Sequence, residues 1–301
     1  MLTNGYFCRF SLKSVFRSFK VISTLIMSQS QSHTGFHKIT LAGLIVTLGI
    51  VYGDIGTSPL YVFKAILAGG NGINELLVLG GISCIFWTLT LQTTIKYVLI
   101  TLRADNHGEG GIFALFALLK KKTPFIVLIT MIGGSALLAD GVITPAITVT
   151  TAIQGLRMVY PSISVIPVVL LILALLFAFQ RFGTNVIGRF FGPVMLLWFL
   201  MLGVLGAIQI STMPHVLVAL NPMYAIKLLI EYPSGILLLG AVFLATTGAE
   251  ALYSDMGHCG IKNIRISWIF VKSMLVLTYL GQGAWALNNP DLATTVNPFF
   301  G

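Results

Sequence analysis

The chain has 301 residues, of which 56% are hydrophobic and only 9% charged. A soluble domain carries about 25% charged residues, so this composition excludes one and makes lipid the natural solvent. A formal charge of +9 would point to nucleic acid in a soluble protein, but here Lys and Arg fall between apolar runs as topology signals, and no nucleic-acid partner is expected.

In chain order, residues 1–26 hold Arg9, Lys13, Arg17 and Lys20 without an acidic residue. That pattern fits a targeting peptide or a surface-lying amphipathic helix. Met27 followed by Ser28-Gln29-Ser30-Gln31-Ser32 instead reads as an ordinary start, so 1–26 is taken as an upstream translation artefact or dispensable extension and 27–38 as the cytoplasmic N-terminus. A membrane helix needs roughly 20 apolar residues. Seven such runs follow, at about 39–68, 76–101, 124–156, 163–180, 186–209, 236–257 and 266–287. Between them, 103–123 forms a loop that leads from RADNHGEGG into a short helix, and 211–235, interrupted by three prolines, forms a short interfacial helix. Cys8, Cys84 and Cys259 show neither metal nor disulfide spacing.

Charge placement orients the spans. With the N-terminus inside, the cytoplasmic face receives Arg9, Lys13, Arg17, Lys20, Lys38, Lys96, Arg103, Lys120, Lys121, Lys122, Arg181, Arg189, Lys262 and Arg265, against Lys64, Arg157 and Lys227 outside. That asymmetry predicts a multi-pass protein of the cell inner (plasma) membrane with a cytoplasmic N-terminus. Lys272, near the inner end of the seventh span, is expected to snorkel.

Three carboxylates, Asp54, Asp140 and Glu250, fall inside spans, where each costs a few kcal/mol on insertion scales. Asp54 stands in Tyr52-Gly53-Asp54-Ile55-Gly56-Thr57-Ser58-Pro59. Pro59 removes a donor and disfavours helix at Ser58, which predicts a break there with free carbonyls facing a protein-lined cavity. The alternative is a simple kink with Asp54 in an interhelical hydrogen bond. Asp140 heads a stripe with Thr144, Thr148 and Thr151, although such hydroxyls often bond the backbone one turn earlier. Glu250 follows Thr246-Thr247-Gly248, a second acid beside a glycine, while Asp255 and His258 lie near the inner end of the same span.

Paired interrupted spans mark the site of inverted-repeat transporters. Spans one and six form such a pair in opposite directions, giving an all-α transmembrane fold, a LeuT-like (amino acid-polyamine-organocation type) bundle with broken helices 1 and 6. Residues 39–209 make the first five-helix repeat, 210–235 the outer connection and 236–287 the first two helices of a second repeat. The stretch 288–301 reads as a truncated C-terminus, so the second repeat is incomplete and the chain is expected not to transport alone.

The strings GIVYGDIGTSPLYVFKA (49–65), RADNHGEGG (103–111), DGVITPAIT (140–148) and TTGAEALYSDMGHCG (246–260) resemble the signature blocks of the Kup/HAK/KT potassium uptake permeases, over 39–301. Leu138-Ala139 and Cys259 depart from the usual pattern without removing an oxygen. The resemblance implies proton-coupled potassium import by a LeuT-like core of about twelve spans with a cytoplasmic C-terminal domain, and leaves a homodimer open for the full-length form. It carries potassium-binding roles to Asp54, Tyr61, Asp140, Thr144, Thr148 and Thr247, with Asp54 as the metal ligand, and places Glu250 in the sixth-span motif. Burial and charge make Glu250, then Asp140, the candidate proton carrier. Potassium and protons are the transported species, no cofactor is expected, and the lipid bilayer is the remaining partner.

The nearest alternative is a sodium- or proton-coupled amino-acid transporter of the same fold. Asp54 argues against it, because an anion there would repel a substrate carboxylate. A channel would need a filter string such as TVGYG, which is absent. An enzyme would need a catalytic pair; HGEGG lacks a nucleophile and a preceding strand, and reads as a flexible hinge.

Overall fold

The computed structural model describes residues 39–70, 72–121, 123–180, 184–233 and 235–301, with backbone alone for 179–180 and 184–189. The expected extension 1–26, the N-terminal segment 27–38 and the basic residues Lys122 and Arg181 lie outside the described residues. Apart from one isolated bridge, the described residues form helices and connecting turns.

The first span is three helices in series, α1 (Leu41–Val51), α2 (Gly53–Thr57) and α3 (Val62–Ala68), with a 3-10 turn at Ser58–Leu60. Thr40 starts α1 by accepting from the Gly43 amide at 3.0 Å, which satisfies one of the free donors of a helix N-terminus. The second span joins α4 (Glu75–Thr88) to a π-helical run at Leu89–Ile100. Here Thr94 and Thr101 return their hydroxyls to the carbonyls of Leu89 and Lys96, five residues back. This is the spacing of the wider π turn.

A short α5 (Gly111–Leu118) precedes α6 (Pro124–Leu156), then α7 (Val165–Gln180) and α8 (Thr184–Thr212). The segment expected to lie at the interface is a 3-10 helix, Pro214–Leu220, followed by α9 (Pro222–Glu231), in which Pro222 takes a first-turn position where its missing N–H costs nothing. The sixth span breaks into α10 (Gly235–Phe243), a 3-10 turn at Leu244–Thr246, α11 (Ala251–Ser254) and α12 (Met256–Cys259). Then come α13 (Ile261–Asn288) and α14 (Pro290–Thr295).

Among the described residues, five helices are long and apolar enough to cross a membrane, namely Glu75–Arg103, Pro124–Leu156, Phe190–Thr212, Gly235–Ser254 and Ile261–Asn288; the bent pair Leu41–Val51 and Gly53–Ala68 makes a sixth. The fourth predicted span holds the shorter apolar helix Val165–Ala178. The fold is therefore all-α and multi-pass.

Helix α13 is the central post, packed against α8 and α1. Because lipid tails are as apolar as leucine, helices in a membrane gain more from close fit than from dehydration. Gly206 of α8 meets Gly281 of α13 so closely that a Cβ on Gly281 would stand 2.6 Å from the Gly206 Cα. Tyr52, fully buried, stacks on Trp268 at 6.2 Å and donates its hydroxyl to the Ile264 carbonyl at 2.7 Å. This fastens the end of α1 to the post. The Lys272 ammonium donates to Thr90 Oγ1 at 3.0 Å and lies 5.5 Å from the Phe86 ring centroid. A hydroxyl and a ring face on the second span satisfy it in place.

Candidate functional site

The α-helix of the first span is interrupted at Ser58–Leu60, as expected, and its axis also turns earlier. The axis turns by 70° between Val51 and Gly53, at Tyr52, whose φ of −105° and ψ of 11° leave the helical range. Pro59 instead occupies a first-turn position of the 3-10 helix, where no ladder donor is required. The bend puts Asp54 in the first turn of α2, directly after the break.

The freed carbonyls of this segment are already engaged. Thr57 Oγ1 donates to the Asp54 carbonyl at 2.8 Å, Trp198 Nε1 to Gly56 at 2.9 Å, Gln282 Nε2 to Pro59 at 2.9 Å and Asn297 Nδ2 to Leu60 at 2.7 Å. Each of these four carbonyls thus accepts one hydrogen bond from a side chain. A buried C=O without a partner costs about as much as a lost hydrogen bond, and distant side chains supply the partners.

The sixth-span break fits against the first. Thr247 is extended, with ψ of 132°, and Gly248 has φ of +87°. A Cβ at Gly248 would lie 2.7 Å from the Ile55 amide nitrogen, 2.8 Å from Asp54 Cβ and 3.1 Å from Asp54 Cγ. Both the positive φ and the lack of a side chain are thus needed for the two breaks to touch. Glu250 comes two residues later, with its carbonyl accepting from Tyr253 and Ser254 at 3.0 and 2.9 Å.

Asp140 arrives from the middle of α6. One carboxylate oxygen from each of Asp54, Asp140 and Glu250 lies within 4.8 Å of the other two, and all three side chains are half-buried. No Lys or Arg among the described residues pairs with them.

The predicted hydroxyls divide into groups. Thr144 donates to Asp140 Oδ1 at 2.9 Å, so it shapes the cluster directly. Thr148 Oγ1 stands 3.5 Å from Thr57 Oγ1, and Thr57 in turn holds the Asp54 carbonyl. Thr151 bonds the Ile147 carbonyl on its own helix at 2.9 Å, the structural role considered for such threonines. Tyr61 Oη lies 3.5 Å from Ser58 Oγ, and the Thr247 hydroxyl makes no hydrogen bond among the described residues. Neither is joined to the acids by a hydrogen bond. The sequence reading missed Thr57, Trp198, Gln282 and Asn297. Gln282, an amide between Gly281 and Gly283 in an apolar span, was a visible signal.

The RADNHGEGG loop is an ordered turn rather than an open hinge. His107 and Gly108 have φ of 55° and 86°, Asn106 and Glu109 pair across them, and Gly108 N donates to Asp105 Oδ1 at 2.5 Å. Two successive positive φ values close such a hairpin. Tyr253 Oη donates to the Ala104 carbonyl at 2.6 Å, and a Cβ on Gly257 would meet both Glu109 carboxylate oxygens at 2.9 Å. The loop therefore seats on α11 and α12 at the C-terminal end of the sixth span.

Residues 41–301 match the family described as the K+ potassium transporter integral membrane domain. A protein of Cytophaga hutchinsonii named "Probable potassium transport system protein Kup" is 61% identical over 280 residues, covering 91% of this chain and 42% of that protein. Proteins of the same name from Flavobacterium johnsoniae and Streptococcus agalactiae are 62% and 53% identical, over 86% and 90% of this chain and 40% and 43% of theirs. The chain thus spans about two fifths of the length of these curated relatives. No solved structure matches it.

Proposed function

The chain belongs to the K+ potassium transporter family, and from that premise we propose that Asp54, Asp140 and Glu250 form a potassium site on an uptake path across the cell inner membrane. The observation that carries this reading is the convergence of three carboxylate oxygens within 4.8 Å of one another. At an effective dielectric of about 20, two ionised carboxylates at that separation repel by roughly 3 kcal/mol. Three ionised acids would not stay together without a positive charge between them.

A single potassium ion balances one of three negative charges. Protons balance the remainder most simply, which makes the cluster a coupling device: ion and protons draw on the same carboxylates, so the arrival of a potassium ion favours the loss of a proton. Glu250 is the proton carrier in this scheme and Asp140 its partner. Thr144, donating to Asp140, orients its carboxylate; Thr148, through Thr57, steadies the Asp54 backbone. Tyr61 and Thr247 would join the ion shell after a small rotation, Tyr61 by its hydroxyl or its ring face.

The contact of two broken spans through Gly248 and Asp54 supports a LeuT-like inverted-repeat core, and the Lys and Arg asymmetry supports a cytoplasmic N-terminus. Potassium and protons are then the cargo, with no cofactor, and the role is transport rather than catalysis. Binding of rubidium-86 to the purified chain in lipid nanodiscs, displaced by potassium, tests the reading. Asp54→Asn should abolish saturable binding. Equal binding by that variant would refute the site.

A further inference from the structure

Segment 52–61 interrupts the regular α ladder of the first span. Between the end of α1 and the start of α3, the bonds outside regular helix are Gly56 N to the Tyr52 carbonyl at 3.0 Å and Tyr61 N to the Ser58 carbonyl at 3.1 Å. The carbonyls of Gly56, Pro59 and Leu60 fall where the α ladder is interrupted, and such groups must find partners outside it. They find them on Trp198 of α8, Gln282 of α13 and Asn297 beyond α14, separated from their acceptors by 142, 223 and 237 residues. Both amides are buried, Gln282 at 5% and Asn297 at 7% exposure.

We propose that Trp198, Gln282 and Asn297 are positioning residues that clamp the broken first span and thereby set its preference among alkali cations. The inference rests on the potassium site described above. Asp54 lies two residues before the first clamped carbonyl, and Tyr61 directly follows the last. The positions of both oxygen-bearing side chains are therefore fixed by donors from three distant elements. Sodium and potassium differ in size and not in charge, so discrimination between them needs oxygens that resist closing around the smaller ion. A segment with few ladder bonds resists only as far as its clamps hold it.

Gln282 is the informative member. Its Nε2 is committed to Pro59, while its Oε1 is buried with no hydrogen-bond partner among the described residues. An amide left unsatisfied at one end is destabilising for the fold. Its retention is explained by the bond at the other end, which fixes the turn carrying Tyr61. A leucine of similar volume would remove the unsatisfied oxygen but leave the Pro59 carbonyl without its donor, so the two effects on stability offset while the clamp is lost.

The test is rubidium-86 binding by the full chain in nanodiscs, displaced by potassium and by sodium, for wild type, Gln282→Leu and Trp198→Phe. Expected are at least a tenfold loss of rubidium affinity in each variant and at least a threefold fall in the ratio of potassium to sodium affinity. Thermal stability of Gln282→Leu should change little, and the fall in the ratio of potassium to sodium affinity is the readout that a merely structural role would not move. Should Gln282→Leu fail to fold, Trp198→Phe decides the clamp by the same two ratios. Unchanged affinity and unchanged discrimination in a folded variant overturn the inference while leaving the potassium site standing. Absence of rubidium binding in wild type overturns the site itself and this inference with it.

Discussion

Thr144 and Thr151 differ in role although both lie on the α6 stripe of oxygens. Thr144 spends its proton on Asp140, whereas Thr151 spends it on a backbone carbonyl. A hydrogen bond to a charged group contributes about 1.5–3 kcal/mol. Thr144→Val should accordingly weaken rubidium binding by roughly 10- to 100-fold, while Thr151→Val changes it by less than about twofold. Titrating both variants with rubidium-86 separates them, and equal effects would count against the assigned geometry. Glu250 carries a different expectation. If it bears the coupled proton, potassium added to the purified protein in weak buffer releases protons, and Glu250→Gln abolishes that release. A pH-sensitive dye reads this directly; an undiminished signal would assign the proton elsewhere.

At the scale of elements, the two broken spans depend on one small contact. Gly248 has a positive φ and no room for a side chain, whereas Gly72 has φ of 94° with nothing within 4 Å of its Cβ position. Gly72→Ala should cost only backbone strain, about 1–2 kcal/mol. Gly248→Ala adds a clash with Asp54 and Ile55, so its melting temperature should fall further and its rubidium binding should be lost. Equal melting temperatures for the two variants would mean that the breaks are free to move apart. The same reasoning explains the α8–α13 contact, where Gly206 and Gly281 let two backbones approach.

For the whole molecule, the charge asymmetry yields a topology that can be read chemically. Cys84 and Cys259 are buried, so a Cys8→Ser background should be silent to a membrane-impermeant maleimide. In it, Lys64→Cys and Lys227→Cys should label on intact cells. Lys120→Cys and Lys262→Cys should label only after permeabilisation, and the reverse pattern would invert the protein in the membrane. These four positions are exposed, so access is decided by side of the membrane rather than by packing.

Much was legible before the structure. Apolar runs gave the helices because the bilayer sets a length and forbids unpaired backbone. The isolated acids gave the centre of the site because a charge in an apolar span is costly enough to need a purpose. Both are local properties, visible in windows of about twenty residues. The sequence by itself therefore determined that this is a membrane-spanning helical protein with Asp54, Asp140 and Glu250 at its polar heart. Only the tertiary structure decided where the axis of the first span turns and which side chains its carbonyls accept from. The axis turns at Tyr52, whose ring is bolted to α13, and the carbonyls of Gly56, Pro59 and Leu60 accept from Trp198, Gln282 and Asn297. Proline and glycine state where a helix can break; partners more than a hundred residues away choose among those places and decide which freed groups stay open.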